Sequence, residues 1–216
     1  MKYNNIIFDL DGTITEPAVG ITNGLIYALG HYGIKVDDIT SLYKFIGPPL
    51  SETFKTFGFE GEENHAIVAK YREYYSTKGV LENDLMPGIA DALKTLKNAG
   101  LKLYIATSKY EPFAVRILEH LNVACYFDYI AGSDASAGRD TKADVINYLF
   151  AKQNITDNDL AATVMVGDRM YDIEGAKTVG IDSVGVLYGY GNQEEFEKAG
   201  ADPIVDTAKD LVEYLL

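Results

Sequence analysis

After residue 86 the sequence alternates short apolar segments with segments of helical periodicity, and this alternation limits the possible fold more than any other feature. Strands that alternate with helices form a parallel sheet joined by right-handed crossovers. An apolar segment at residues 5–8 adds a first strand, so the sequence predicts an α/β fold with a parallel sheet flanked by helices. The predicted later strands are LKLYIATS, YIAGSD, ATVMVGD and IDSVGVLYG, and the helices among them are IADALKTLKNAG, EPFAVRILEHL, KADVINYLFAKQ and IEGAKTVG.

Residues 18–82 have a different pattern, in which apolar side chains recur at helical intervals. A predicted helix in VGITNGLIYALGHYG and a longer one in EENHAIVAKYREYYSTKG are separated by a Gly-Pro-Pro break. We therefore predict an all-helical domain at residues 16–83, inserted into a core domain that consists of residues 1–15 and 84–216.

Three of the predicted strands end in polar residues, in the segments IIFDLD, LYIATSK and VMVGDRMYD. The carboxyl ends of parallel strands meet at one edge of the sheet, and ligands of such folds bind beyond that edge. The sequence therefore predicts that six polar side chains converge there: Asp9, Asp11, Thr107, Ser108, Asp168 and Asp172.

Four of these six side chains are carboxylates, which repel one another unless a cation lies among them. Oxygen ligands without histidine or cysteine suit Mg²⁺ better than zinc. With the charge neutralised, a phosphoryl group can enter the site. Thr107 and Ser108 would then act as donors, and a lysine would supply the remaining positive charge.

The segment from Asp9 to Gly12 has a chemical interpretation of its own. A carboxylate beside a phosphoryl group can act as a nucleophile and form an aspartyl phosphate. A second carboxylic acid two residues later, Asp11, lies on the same face of an extended chain, where it can protonate the leaving oxygen and later deprotonate water. Gly12 permits a tight turn that brings backbone N–H groups close to a substrate.

The composition bears on partners and compartment. The chain has 32 acidic and 19 basic residues and a net charge of −13, which disfavours nucleic acid polymers and membrane surfaces as partners. No segment reaches the roughly 18 apolar residues of a membrane span. The single cysteine, Cys125, excludes an intramolecular disulfide, fits a reducing cytoplasm and is expected in the core. A monomer is the default expectation, and an oligomer stays open.

Four motifs, in order, resemble those of the haloacid dehalogenase (HAD) superfamily. DLDGT at 9–13 is similar to the first motif and ATS at 106–108 to the second. RDTKADVI, with Lys142 at the start of a helix, is similar to the third, and VGDRMYD at 166–172 to the fourth. The resemblance covers essentially the whole chain. It implies a Rossmann-like core and an Mg²⁺-dependent phosphomonoester hydrolase that acts on a small phosphorylated metabolite.

The resemblance also implies a role for each residue of the first three motifs. Asp9 would be the nucleophile and Asp11 the general acid and base. Thr107 or Ser108 would hold the phosphate together with Lys142, and Gly12 would help to bind it. In this superfamily the second aspartate of the first motif distinguishes phosphatases from dehalogenases, so the resemblance argues against a dehalogenase.

The metal ligands implied by the resemblance are Asp9, the backbone carbonyl of Asp11, and Asp168. Asp172 would be a further ligand or an anchor behind the ligands.

The helical insertion is similar to the C1 cap of the phosphoglycolate phosphatase-like branch, which also includes 5′-nucleotidases. In that branch the cap closes over the site, excludes water and selects the leaving group. The segment FIGPPL, which contains Gly47, is the candidate substrate-specificity loop.

Several alternatives stay open at the level of sequence. Lys109 directly follows the hydroxyl residues of the second motif and could hold the phosphate in place of Lys142. A mutase of the β-phosphoglucomutase type would use the same Asp9 but return the phosphoryl group to a sugar. A non-catalytic binding domain would have lost the nucleophile or a metal ligand, and neither is missing. The glycine-rich segment YGYGNQ at 188–193 is interpreted as a mobile loop beside the site.

Overall fold

The computed structural model describes residues 2–216, and the chain forms two compact units. The core unit comprises Met1–Thr15 and Leu85–Leu216, and the helical unit comprises Glu16–Asp84. The assignment of these units as a catalytic domain and a cap domain stays a prediction.

Eight strands are present in the described residues, and six of them form one parallel sheet. The strands are β1 (Asn5–Phe8), β2 (Thr15–Glu16), β3 (Asp84–Leu85), β4 (Lys102–Tyr110), β5 (Tyr129–Ser133), β6 (Thr163–Gly167), β7 (Asp182–Val186) and β8 (Ile204–Val205). The order in the main sheet is β5-β4-β1-β6-β7-β8, whereas β2 and β3 pair separately.

The α-helices of the described chain connect these strands or form the helical unit. They are α1 (Ala18–His31), α2 (Leu50–Lys55), α3 (Gly61–Tyr75), α4 (Ile89–Asn98), α5 (Glu111–His120), α6 (Lys142–Gln153), α7 (Met170–Val179), α8 (Gln193–Ala199) and α9 (Ala208–Leu215). The α/β fold predicted from the sequence is confirmed. Helix α8 was not predicted from the sequence, because its seven residues are too few to show a helical periodicity of apolar side chains.

The central strands are buried on both faces, which explains why their sequences are continuously apolar instead of alternating. Every residue of β1 is buried, and the same is true of β6. Ile7, Tyr104 and Met165 come from three adjacent strands and pack with Val145 and Leu149 of α6 in one apolar cluster. This packing fixes the strand ends relative to α6.

Strand β1 lies at the position where the strand order changes direction. The chain places β4 and β5 on one side of β1 and places β6, β7 and β8 on the other. The chain runs from β1 to β4 on one side and from β6 to β7 on the other, so a crevice opens at the carboxyl ends of β1 and β6, which is where open α/β sheets bind ligands. Asp9 is the first residue after β1, and its backbone N–H donates to the carbonyl of Val166 over 2.9 Å.

The helical unit is packed by aromatic rings. Phe54 of α2 and Tyr71 of α3 are buried, with ring centroids 6.4 Å apart in an edge-to-face arrangement. Tyr71 stacks on Tyr75 at 5.3 Å. Gly24 of α1 gives the Tyr71 ring its space, since a Cβ there would lie 2.6 Å from Cε2 of that ring. Aromatic pairs of this kind stabilise a small helical core beyond the area they bury.

One expectation about the core is wrong. Cys125 is exposed, because it lies in a 3₁₀ turn (Ala124–Tyr126) on the surface. That turn has no buried residue, so an apolar residue type alone does not place a side chain in the core. Within the described residues, no helix has the length and apolar character needed to cross a membrane.

Candidate active site

The site-forming side chains of the core unit come from the carboxyl ends of three strands and from two helix starts. Asp9, Asp11 and Gly12 follow β1, and Thr107 and Ser108 lie near the carboxyl end of β4. The other members are Lys142, the first residue of α6, Asp168 between β6 and α7, and Asp172 in the first turn of α7. Gly47 belongs to the helical unit.

Lys142 lies at the centre of this cluster. Its ammonium is 2.8 Å from a carboxylate oxygen of Asp9 and 2.8 Å from one of Asp172, and it donates to the carbonyl of Ala106 over 3.0 Å. Two carboxylates and one carbonyl oxygen therefore surround the ammonium. Burial by itself lowers the pKa of Lys142, but the Asp172 and Asp9 carboxylates outweigh it, so the pKa is raised and the lysine stays charged.

Two features position Lys142: the cap at the start of α6 and a glycine on the neighbouring helix α7. Thr141 caps α6 and accepts from the backbone N–H of Asp144 over 3.2 Å, which starts the helix at Lys142. Gly175 of α7 leaves room for the lysine stem, since a Cβ there would lie 2.6 Å from Cγ of Lys142.

A second lysine, Lys109, pairs with the other carboxylate of the first motif. Its ammonium lies 2.8 Å from Oδ2 of Asp11, and the two side chains are only 8% and 16% exposed. The Thr15 hydroxyl is 3.4 Å from Oδ1 of Asp11, a long contact for an O–H donor. Burial raises the pKa of Asp11, and Lys109 opposes that effect.

Asp168 is completely buried and is held by uncharged donors. The Thr13 hydroxyl donates to its Oδ1 over 3.3 Å, and the backbone N–H of Tyr190 donates to its Oδ2 over 2.9 Å. Burial, with the neighbouring Asp172 and Asp9 carboxylates, raises the pKa of Asp168 well above its usual range. Among the described residues, no lysine or arginine forms an ion pair with Asp168.

Two glycines allow the chain to surround Asp168. Gly12 has a φ of +84°, and a Cβ at that position would collide with the Asp168 carboxylate. Gly189 follows β7, and a Cβ there would collide with Asp168 and lie 2.5 Å from the carbonyl oxygen of Gly12. The loop after β7 is therefore a wall of the carboxylate site.

Asp172 serves two structural purposes. Its Oδ2 accepts from the backbone N–H of Arg169 over 3.1 Å, which caps α7, while its Oδ1 faces Lys142. Burial raises the pKa of Asp172 to about 6, although Lys142 opposes this. The start of α7 is further fixed by Glu195 of α8, which accepts from Arg169 Nε over 2.9 Å and from the backbone N–H of Met170 over 2.8 Å.

The two hydroxyl residues after β4 differ in their surroundings. Thr107 is buried, and its hydroxyl oxygen accepts from the backbone N–H of Lys109 over 3.1 Å. Ser108 is exposed. A phosphoryl group could therefore use the Ser108 side chain without breaking an internal contact, whereas Thr107 first shapes the turn that carries Lys109.

The carboxylates fit a divalent cation. Asp9, Asp168 and Asp172 each offer an oxygen, and these three atoms lie within 4.8 Å of one another. The cluster has two more carboxylates than ammonium groups, and the buried Asp168 forms no ion pair among the described side chains. A hard divalent ion would remove this charge imbalance. Asp9 and Asp168 are the better direct ligands, because both oxygens of Asp172 already face donors.

Sequence reasoning missed several residues of the site. Thr13, Gly189 and Tyr190 all contact Asp168 or its surroundings. The segment YGYGNQ was expected to form a mobile loop beside the site, and no contact with a site residue was assigned to it. Backbone donors such as the Tyr190 N–H have no residue-type signal. The position of this loop directly after a strand is the one signal that could have indicated its role.

Comparison with known proteins identifies the family. The sequence profile described as "Haloacid dehalogenase-like hydrolase" matches residues 6–186, which include all the site residues that the sequence predicted in the core unit. The chain belongs to this family. The resemblance inferred from the four motifs is thus confirmed.

Individual proteins are similar to this one over nearly the whole chain. A 5′-nucleotidase of Pseudomonas aeruginosa is 38% identical over 196 residues, which cover 90% of this chain and 87% of that protein. A Mycobacterium tuberculosis protein named tyrosine-protein kinase PtkA is 39% identical over 203 residues, covering 94% of this chain and 68% of that protein. The solved structure of a predicted phosphatase from Clostridium acetobutylicum superposes with a TM-score of 0.92 at 42% identity, covering 100% of this chain and 99% of that one.

Proposed function

We propose that this HAD hydrolase is an Mg²⁺-dependent phosphatase that hydrolyses small phosphomonoesters through a phosphorylated Asp9. The observation that carries the proposal is the surroundings of Asp9. This residue follows β1, lies 2.8 Å from the Lys142 ammonium and shares its segment with a second acid of low exposure, Asp11. A nucleophile, a fixed cation and a proton donor are thus within one cluster.

In the first step, a carboxylate oxygen of Asp9 attacks phosphorus and the ester P–O bond breaks. Asp11 gives its proton to the leaving oxygen, which departs as an alcohol. Lys142 holds Asp9 from one side by its ion pair, so the attacking oxygen keeps one orientation. The same ammonium supplies positive charge for the phosphoryl oxygens, together with the Ser108 hydroxyl as a donor. The Gly12 N–H, expected to help bind the phosphate, instead donates to the carbonyl of Thr15 over 2.7 Å, so Gly12 contributes the tight turn rather than a donor.

In the second step, water attacks the phosphorus of the aspartyl phosphate. Asp11 takes one proton from that water, and the P–O bond to Asp9 breaks, which restores both carboxyl groups. Asp11 ends the cycle protonated, as it began. This accounting requires no other acid or base.

Asp9, Asp168 and the backbone carbonyl of Asp11 would hold Mg²⁺, and Asp172 would anchor Lys142 beside them. When bound, the ion neutralises the carboxylates and stabilises the charge on the phosphoryl oxygens. Thr13 and the Tyr190 N–H fix the orientation of Asp168 for this purpose.

The relatives support two classes of substrate. The similarity to a 5′-nucleotidase favours a nucleoside monophosphate, and the resemblance to phosphoglycolate phosphatases keeps short phosphorylated acids as candidates. We place the helical unit as the cap that selects the leaving group, with Gly47 in its specificity loop. A single cysteine is consistent with action in the reducing cytoplasm.

A second candidate is phosphoryl transfer to a hydroxyl group other than water. It is favoured by the 39% identity to a protein named as a tyrosine kinase, since an aspartyl phosphate can be attacked by any suitably placed hydroxyl. A phosphosugar mutase would be one form of such transfer. The same site residues serve both candidates, so the acceptor decides between them.

The test is a panel of nucleoside monophosphates, phosphoglycolate and sugar phosphates, each incubated with and without Mg²⁺ and followed by ³¹P NMR. Free phosphate that appears only with Mg²⁺ and only with Asp9 intact supports the hydrolase. A new phosphoester signal in place of free phosphate supports transfer. Unchanged substrate throughout the panel, or equal turnover by Asp9→Asn, would overturn the proposal.

A further inference from the structure

Lys109 is the cation paired with Asp11. The ion pair of 2.8 Å joins its ammonium to Oδ2 of Asp11, and both side chains are largely buried. By contrast, Lys142 pairs with Asp9 and Asp172. In these ion pairs, Lys142 is thus the partner of the proposed nucleophile and Lys109 is the partner of the proposed acid.

The backbone of Lys109 is also held in place. Its N–H donates to the hydroxyl oxygen of Thr107, a buried residue at the end of β4. This strand lies beside β1, which carries Asp11 on the segment that follows it. The distance between the stem of Lys109 and Asp11 is therefore set by two adjacent strands of the sheet.

The two oxygens of Asp11 are not equivalent. Lys109 holds Oδ2 at 2.8 Å, whereas the Thr15 hydroxyl is 3.4 Å from Oδ1, too far for a strong hydrogen bond. An ammonium has no lone pair and cannot accept a proton. Oδ1 is consequently the oxygen that stays able to carry a proton and pass it to another atom.

We infer that Lys109 is a positioning residue for proton transfer, which clamps Oδ2 of Asp11 so that Oδ1 is presented to the leaving oxygen. The inference rests on the proposed function. It assigns Lys109 a task different from that of Lys142 and decides which lysine holds the phosphoryl group: Lys142 does, and Lys109 acts through Asp11.

The assignment predicts a dependence on the leaving group. An aliphatic alcohol must be protonated as it departs, whereas dinitrophenolate is stable as an anion and needs little help. The ratio kcat/KM reports only the steps up to the first irreversible one, which here is formation of the aspartyl phosphate. Loss of positioned proton transfer should therefore lower kcat/KM for an alkyl ester much more than for dinitrophenyl phosphate.

The experiment compares kcat/KM of the wild type, Lys109→Met, Asp11→Asn and the double variant on an alkyl phosphate and on dinitrophenyl phosphate. We expect Lys109→Met to lose about 10²-fold or more on the alkyl ester and less than about tenfold on the aryl ester, the range that general acid catalysis supplies. Asp11→Asn should show the same asymmetry. The double variant should lose no more than Asp11→Asn alone, since Lys109 acts through Asp11.

Controls separate this role from folding and from direct phosphate binding. Lys94→Met makes the same change at an exposed position of α4 and should leave both rates unchanged. Lys142→Met should lower both rates alike. If Lys109→Met folds poorly, two other variants are compared instead. Lys109→Gln keeps a donor near Oδ2, and Lys109→Arg keeps the charge. Each should restore part of kcat/KM on the alkyl phosphate.

Two outcomes overturn the inference. Equal losses on both esters would mean that Lys109 binds the phosphoryl group or supports the fold. A further loss in the double variant would mean that it acts independently of Asp11. If the wild type itself releases no phosphate from either ester, the proposed function fails. This failure is distinct from failure of the inference about Lys109, because it is seen in the wild type before any variant is compared.

Discussion

The two units of this HAD hydrolase differ in whether charged side chains are buried in their described interiors. The core unit buries Lys142, Asp168 and Asp172, which are all the fully buried charged residues in the described chain. The polar residues buried in the helical unit are uncharged threonines and asparagines, and its interior consists largely of aromatic rings such as Phe54 and Tyr71.

The contrast teaches where the molecule carries chemistry. Burying a charge is costly unless a partner of opposite sign is paired with it, and Asp168 forms no ion pair among the described residues. A carboxylate kept in that situation indicates a ligand that supplies positive charge. The helical unit has no comparable unbalanced group in its interior, so its contribution is expected in shape and selection rather than in catalysis.

The largest effect should come from the nucleophile. Asp9→Asn keeps the shape of the side chain but removes the attacking carboxylate, so we expect kcat to fall by about 10⁴-fold or more. Phosphate release and the circular dichroism spectrum would be measured together. Asp91→Asn, the same change at an exposed position of α4, is the matched control and should retain full activity. Activity within tenfold of wild type in Asp9→Asn would place the chemistry elsewhere.

The next effect concerns the interior of the helical unit. Phe54→Ala removes a fully buried ring that packs against Tyr71, and we expect it to lower the free energy of unfolding by about 3–5 kcal/mol. Urea denaturation followed by tyrosine fluorescence would measure it. Tyr43→Ala removes a ring that is 41% exposed and should cost less than about 1 kcal/mol. Similar losses in the two variants would contradict the aromatic core described above.

A smaller effect, of opposite sign, should follow from relieving the buried charge. In the absence of metal, Asp168→Asn should stabilise the protein by about 1–3 kcal/mol at neutral pH, because the unpaired charge is removed while both hydrogen-bonded neighbours can still be satisfied. The thermal midpoint would be measured in chelator and then with Mg²⁺.

The metal response provides the control for that variant. The wild type should gain thermal stability on addition of Mg²⁺, because a ligand that binds only the folded state stabilises it. Asp168→Asn should gain little. A midpoint for Asp168→Asn below that of the wild type in chelator would show that the carboxylate is structural, and an undiminished response to Mg²⁺ would remove Asp168 from the metal site.

The smallest effect tests the selective role proposed for the helical unit. Gly47 has a φ of +105°, a conformation that strains other residues by about 1–3 kcal/mol, so Gly47→Ala should alter its loop. We expect the relative kcat/KM of a nucleoside monophosphate and phosphoglycolate to change by up to about tenfold. Gly58→Ala places the same strain at a φ of +90° in open space of the same unit. Equal changes in both variants would remove the specificity role from the loop.

The sequence by itself determined the architecture and the list of polar residues at the strand ends. Apolar strands that alternate with helices have few stable arrangements, and the carboxyl ends of parallel strands must share an edge, so Asp9, Thr107 and Asp168 could be grouped without coordinates. The family followed from four short motifs, because each keeps its chemical residues at fixed positions relative to a strand end or helix start.

Only the tertiary structure decided the pairing within that group. The sequence left Lys109 and Lys142 as alternatives, whereas the fold gives each a separate partner, Asp11 for the first and Asp9 with Asp172 for the second. It also brought the backbone of Tyr190 to Asp168. Such contacts join residues far apart in the chain, and they depend on side-chain directions and backbone donors. Neither side-chain direction nor backbone donors can be inferred from residue type. These contacts are therefore defined only when the sheet and its loops have packed.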